Sequence, residues 1–184
     1  MLANISTVPG EWAPTVIAAA ALFFTIGSFW WMNARIGHLI IVAPRSYAIT
    51  TQNDRLILLL PLVFYNSGPV AYVVRDLRVR FSDEPTEVAL AFHRVRGGVS
   101  PSHHPTPELS AAFPVAGRAA VRMFCEFERR PVGRSIAAGA HPLLVEGLTD
   151  KAGGWRELVA FDLNVSTNAE VGMGSQFISY LNRD

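Results

Sequence analysis

The chain has 184 residues, half of them apolar and 17% charged, with a formal net charge of +1. That charge leaves no electrostatic footprint for nucleic acid, and no nucleic-acid partner is expected. So apolar a composition argues for a membrane segment or an unusually apolar surface. The basic residues are fifteen arginines and Lys151. Arginine suits half-buried and interfacial sites because its planar charge is weakly hydrated and pairs bidentately, although GC-rich coding enriches it too.

In chain order, residues 1–12 form a short segment without Lys or Arg. From Ala13 to Met32 no residue is charged: "APTVIAAAALFFTIGSFWWM". As a helix this run reaches about 30 Å, the thickness of a bilayer's hydrocarbon core. A cleaved signal peptide would have a basic segment before the run and small residues after it. The run instead ends in Trp30, Trp31 and Met32, so residues 13–36 are read as a retained transmembrane helix. Trp12, Trp30, Trp31 and Arg35 fall where interfacial anchors belong. Arg35 and Arg45 follow the span while only Glu11 precedes it. The positive flank therefore predicts N-terminus outside and carboxyl domain cytoplasmic. At 100° per residue Ala18, Ala21, Thr25 and Ser28 form one narrow stripe, opposite Phe23 and Trp30. Such a stripe admits a second helix, or reflects only the commonness of alanine in such spans.

Beyond Gly37 the period changes to alternation. "HLIIVA" (38–43) reads as a strand stopped or bent by Pro44, and "SYAITT" continues it. "RLILLLPLVFY" (55–65) carries Leu56, Leu58, Leu60, Leu62 and Phe64 on one face and Ile57, Leu59, Val63 and Tyr65 on the other. A strand apolar on both faces is covered on both, by a second layer or by a partner. Pro61 argues for an edge or a bulge. After the turn "NSGP", "VAYVVRDLRVRF" places Val73, Leu77, Val79 and Phe81 inward. "EVALAFHRV" groups Val88, Leu90 and Phe92. "GRAAVRMFCEFE" sets Cys125 with Val121, Met123 and Phe127, and leaves Glu126 and Glu128 on the solvated face. "PLLVEGL" and "WRELVAFDLNV" are joined by the turn-rich "TDKAGG". The tail "VGMGSQFISYLNRD" is a strand or an ordered arm. Residues 37–184 thus read as an all-β antiparallel sandwich of seven or eight strands.

The stretch "LVFYNSGPVAYVVRDLRVRF", with "AAFPVAGRAAVRMFCEFE" and "LVEGLTDKAGGWRELVAFDLNV", resembles bacterial single-span membrane proteins with a carboxyl-terminal immunoglobulin-like β-sandwich, mostly of unassigned function. Tyr65, Asn66, Gly68, Val73, Leu77 and Val79 carry the likeness. It implies a fold, a place in a bacterial inner membrane and a membrane-proximal role, with no catalytic residues.

Chemistry is sparse. The single Cys125 excludes an intramolecular disulfide and reads as a buried apolar residue, because no base or cation neighbours it. The segment "RGGVSPSHHPTPELSAAFPVAG" (96–117) is a long Pro-rich loop, either a contact surface or plain flexible chain. Its His103 and His104, adjacent in extended chain, point apart, and no carboxylate completes a metal set. His38, just past the span, suits a polar anchor better than a cofactor ligand. Arg129, Arg130 and Arg134 form the densest basic cluster, a solvated loop or a contact for anionic lipid or an acidic subunit. No nucleophile elbow, phosphate loop or metalloprotease helix appears. The expectation is therefore no enzyme and no cofactor or metal site, but an accessory subunit stabilising a larger membrane complex. Photosynthetic or respiratory assemblies, and transport or secretion machines, use such subunits. Its partners would be integral membrane subunits and membrane lipid. Candidate partner surface is Ile57, Leu59, Val63, Tyr65, His103, His104, Arg129 and Arg130. The alternative is a membrane-anchored ligand-binding or sensor module for lipid or peptide.

Overall fold

The computed structural model describes residues 12–85, 88–96, 108–109, 111–130, 136–168 and 178–182. The chain divides into two units, residues 1–36 and 37–184. The first holds one helix, α1 (Ala13–Asn33), whose length and composition suffice to cross a membrane and of which no residue is buried. Pro14 lies in its first turn, where a missing N–H leaves no ladder bond unmade. The helix stops as Ala34 N–H and Arg35 N–H both donate to Trp30 O, at 2.9 and 3.1 Å.

Among its described residues the second unit pairs its strands antiparallel. Its strands are β1 (Leu39–Val42), β2 (Ser46–Gln52), β3 (Arg55–Asn66), β4 (Tyr72–Phe81), β5 (Leu90–Arg96), β6 (Glu108–Leu109), β7 (Phe113–Val115), β8 (Ala120–Arg129), β9 (Gly139–Thr149), β10 (Trp155–Val165) and β11 (Ser179–Leu181). They form one curled sheet in the order β10-β9-β4-β5-β8-β3-β2-β11, with β1 on β3, β6 on β5 and β7 on β4. Among the described residues eleven strands thus stand where seven or eight were expected. The surplus comes from short pieces: Pro44 breaks β1 from β2, the 96–117 segment contributes β6 and β7, and the tail adds β11 beside β2. The β2–β3 hairpin closes through Asn53 and Asp54, both at positive φ (49° and 59°), the requirement of a type I′ turn.

One core fills the inside of the curl. Leu56, Leu58, Leu60, Leu62 and Phe64 of β3 meet Val74, Leu77, Val79 and Phe81 of β4, Phe127 of β8, Val145 of β9 and Leu163 of β10. Cys125 belongs to it, at 0% exposure, and burial pushes its thiol up to about 12. Tyr47 closes the seam between β2 and β10. Its hydroxyl donates to Asn164 O at 2.9 Å, and burial raises its pKa. Asn182, after β11, continues that seam by donating to Asp162 O and accepting from Asn164 N.

Two expectations about facing change. Val74, not Val73, points inward, because the β4–β9 register slips between Val74 and Asp76 and a bulge reverses the alternation. Val88 stands 37% exposed, ahead of β5. Pro61 is central rather than at an edge. The pairs Leu59↔Ala48 and Val63↔Val42 leave it opposite the break between β1 and β2, where the ladder is already interrupted.

Candidate functional site

The outer side of β1, β2, β3, β8 and β5 carries Ile57, Leu59, Val63, Tyr65 and Arg130 of the sequence-predicted surface, and it has two unlike parts. Toward the β2–β3 hairpin it is closed. Ala48, Thr50, Ile57 and Leu59 are buried at 1, 0, 8 and 0%, although they point away from the main core. Ile57 and Leu59 are therefore occupied within the chain and offer no free surface. Across from Leu59 lies Glu126, itself 0% exposed. Its carboxylate accepts from Arg94 Nε at 2.7 Å and from Arg96 Nε. A buried carboxylate held by two guanidinium groups is a charge-assisted network, costly to break from one side.

A bulge makes this pairing possible. Phe92 faces Phe127 in the core, and the β5–β8 register shifts before Arg94, so Arg94 and Arg96 turn outward to meet Glu126. Glu128 continues the row, receiving Arg130 Nε at 3.0 Å with Arg55 and His93 also near. The reading of Glu126 as a solvated strand face is thus corrected. The alternation rightly placed it off the core, but the arginines from β5 bury it. The signal was Arg94-x-Arg96 in one strand and Glu126-x-Glu128 in another, uninterpretable until those strands were known to be neighbours.

Toward the β1 end the same face is open. Ile40, Val42 and Tyr65 are 46, 55 and 41% exposed, with Val63 half-buried between them. Register sets them in two rows: Ile40, Tyr65 and Ala120, then Val42, Val63 and Arg122. Arg122 is exposed, 5.6 Å from the Phe124 ring centroid, and pairs with no carboxylate among the described residues. Among the described residues of this face Arg55, Arg94, Arg96, Arg122 and Arg130 outnumber Glu126 and Glu128.

Arg129, expected at a surface, is 8% exposed and structural: its Nη1 donates to Glu84 Oε2 at 2.5 Å and to Val88 O at 2.9 Å. It flanks Leu56 in register, on the core side, whereas Arg130 beside it is half exposed. His103, His104, Arg134 and most of the 96–117 loop lie outside the described residues. Among the described residues no three His, Cys, Asp or Glu side chains are grouped to hold a metal ion.

The start of the β unit is locked to two turns. Asn66, fully buried, donates through Nδ2 to Val70 O, Val115 O and Ala116 O and accepts from Gly68 N. Tyr72 Oη donates to Gly37 O at 2.6 Å, and His38 N to Ser67 Oγ at 2.9 Å. Gly37 is required here: a Cβ would lie 2.0 Å from Gly68 N. The Asn-x-Gly motif is therefore a structural hub, and its sequence signal was only that of a turn.

On the helix, Thr25 Oγ1 donates to Ala21 O at 2.8 Å, which satisfies that hydroxyl inside the stripe. Ser28 lies with Gly27 in a shallow open groove between Phe24, Trp31 and Met32. Arg35 stacks on Trp31, its guanidinium carbon 4.1 Å from the ring centroid, and Trp12, Trp30 and Trp31 are exposed. No protein-family model matches the chain, and no curated protein matches it.

Proposed function

We propose that the chain is a non-catalytic accessory subunit of a larger membrane protein assembly, anchored by α1 and working at the membrane surface through its β unit. The observation that carries this reading is the helix itself: twenty-one residues, none of them buried. Phe23, Phe24 and Trp30, 75, 77 and 55% exposed, require lipid or other spans to cover them. The stripe Ala18, Ala21, Thr25 and Ser28 is the side on which a neighbouring span fits, since small side chains let helices approach closely. Arg35 and Arg45 favour a cytoplasmic β unit.

The fold assignment that goes with this reading is immunoglobulin-like. The order β2-β3-β8-β5 along one arm and β4-β9-β10 along the other matches the two layers of a seven-stranded immunoglobulin domain. β4 and β5 share only two register pairs, Arg78↔Ala91 and Val79↔Leu90, so the arms diverge there.

The test is extraction from native membranes in mild detergent. The chain should migrate in a complex well above its own 20.1 kDa, and Ala18→Leu with Ala21→Leu should release it. Migration as a monomer in several mild detergents overturns the proposal.

A further inference from the structure

We propose that the open, β1 end of the outer face, Ile40, Val42, Tyr65 and Arg122, seats on an anionic lipid headgroup layer. This rests on the reading that α1 spans a membrane. Three observations converge. The first is reach: residues 34–38 alone connect the helix to β1, and six Cα steps cover at most about 20 Å. Ile40 and Val42 cannot leave the neighbourhood of the span's end. The second is composition: two aliphatic residues, a tyrosine and an arginine on one flat patch are the side chains that partition to a bilayer interface. The third is charge. Among the described residues Arg122 pairs with no carboxylate, and the face around it holds four further arginines, Arg55, Arg94, Arg96 and Arg130, against two carboxylates, Glu126 and Glu128. A protein partner would be equally served by the apolar residues. The surplus of guanidinium groups selects an anionic layer, whose phosphates arginine binds bidentately.

Geometry makes the patch a single surface. Adjacent strands stand about 4.8 Å apart and alternate residues about 6.8 Å, so the two rows fit beneath a few headgroups. Tyr65 is central, paired across β3 with both Ile40 and Ala120. Its ring would lie at the acyl boundary and Arg122 at the phosphates.

The experiment uses the full chain in nanodiscs of phosphatidylcholine, alone or mixed with phosphatidylglycerol at about two to one. Val42→Cys carries an environment-sensitive fluorophore. Native Cys125 stays unlabelled because it is 0% exposed and its thiol is pushed up to about 12. In the anionic discs the label should shift to the blue and be quenched by brominated lipid, with Arg122→Glu reducing the docked population at least about fivefold. A label at exposed Arg156→Cys should remain in water in both discs. Near-ultraviolet circular dichroism unchanged by Arg122→Glu shows that the domain is folded; if that variant misfolds, high salt substitutes for it in the same measurement. A Val42 label that stays in water in anionic discs overturns the proposal, as does one shielded equally in neutral discs. Shielding found only in native membranes, with purified anionic lipid ineffective, overturns it in favour of a protein partner. Because the discs hold no other protein, failure here leaves the migration test of the accessory-subunit reading separate.

Discussion

Strand β3 is two strands in one. From Leu56 to Leu60 both faces are buried, with Ile57 and Leu59 at 8 and 0% on the side away from the core. From Pro61 to Tyr65 the faces differ: Leu62 and Phe64 are at 0%, while Tyr65 reaches 41%. The residue types hardly change between the halves. What changes is the neighbours. The first half lies between β2 and the Glu126 row; the second lies beside β1, which ends at Val42. Apolar composition on a second face therefore has two meanings within one strand, an internal layer and a free surface, and only the surroundings separate them.

The largest effects test the closed half. Leu58→Ala and Leu59→Ala should each cost about 2–5 kcal/mol, because both side chains are fully enclosed. The measurement is thermal or denaturant unfolding of the full chain in detergent; a cost below about 1 kcal/mol for Leu59 beside a full cost for Leu58 would break the comparison. Glu126→Gln should cost about 2–3 kcal/mol. It strips two arginines of their carboxylate, and their roughly one-quarter exposure lets water offset part of the loss. Restored stability in the triple variant with Arg94→Gln and Arg96→Gln would show that unpaired charge, not shape, carried the penalty.

A smaller, pH-dependent effect belongs to the opposite arm. Burial alone raises the Asp150 carboxyl, but the Val73 N–H and the Lys151 ammonium outweigh it and hold the pKa below the usual carboxylate range. A lowered folded-state pKa means stability fully present above about pH 4 and lost as pH falls through the folded value. Asp150→Asn should flatten that acid limb by lowering neutral stability toward its acid value, leaving stability in acid little changed. An acid limb that survives in Asp150→Asn assigns the titration elsewhere. The smallest effect is in the open half: Val42→Ser and Tyr65→Ser should each change stability by no more than about 0.5 kcal/mol, as surface substitutions do. A loss above about 2 kcal/mol at either would mean that this end is covered within the chain as well.

Much of the fold was legible. The uncharged run from Ala13 to Met32 declares a helix long and apolar enough to cross a membrane, because hydropathy sums over neighbours in sequence. Leu56, Leu58, Leu60, Leu62 and Phe64 declared a core face because a strand alternates sides regardless of its partners. The site was much less legible. Glu126 was placed on the correct side of β8 and given the wrong environment, since nothing in "FCEFE" states that "HRVR" runs alongside. Arg129 and Arg130 look alike in sequence, yet alternation sends one to Glu84 and leaves the other half exposed. Val73 failed because a bulge reverses facing without any change of composition.

By itself, then, the sequence determined a helix long and apolar enough to cross a membrane, the β class, the inward rows and the turn at Asn66, all properties of residues within a few positions of one another. The tertiary structure decided which strands are neighbours, and with that which arginines meet Glu126 and which half of β3 remains open. Burial and ion pairing depend on what stands across a gap from a side chain. Periodicity reports only the direction in which that side chain points.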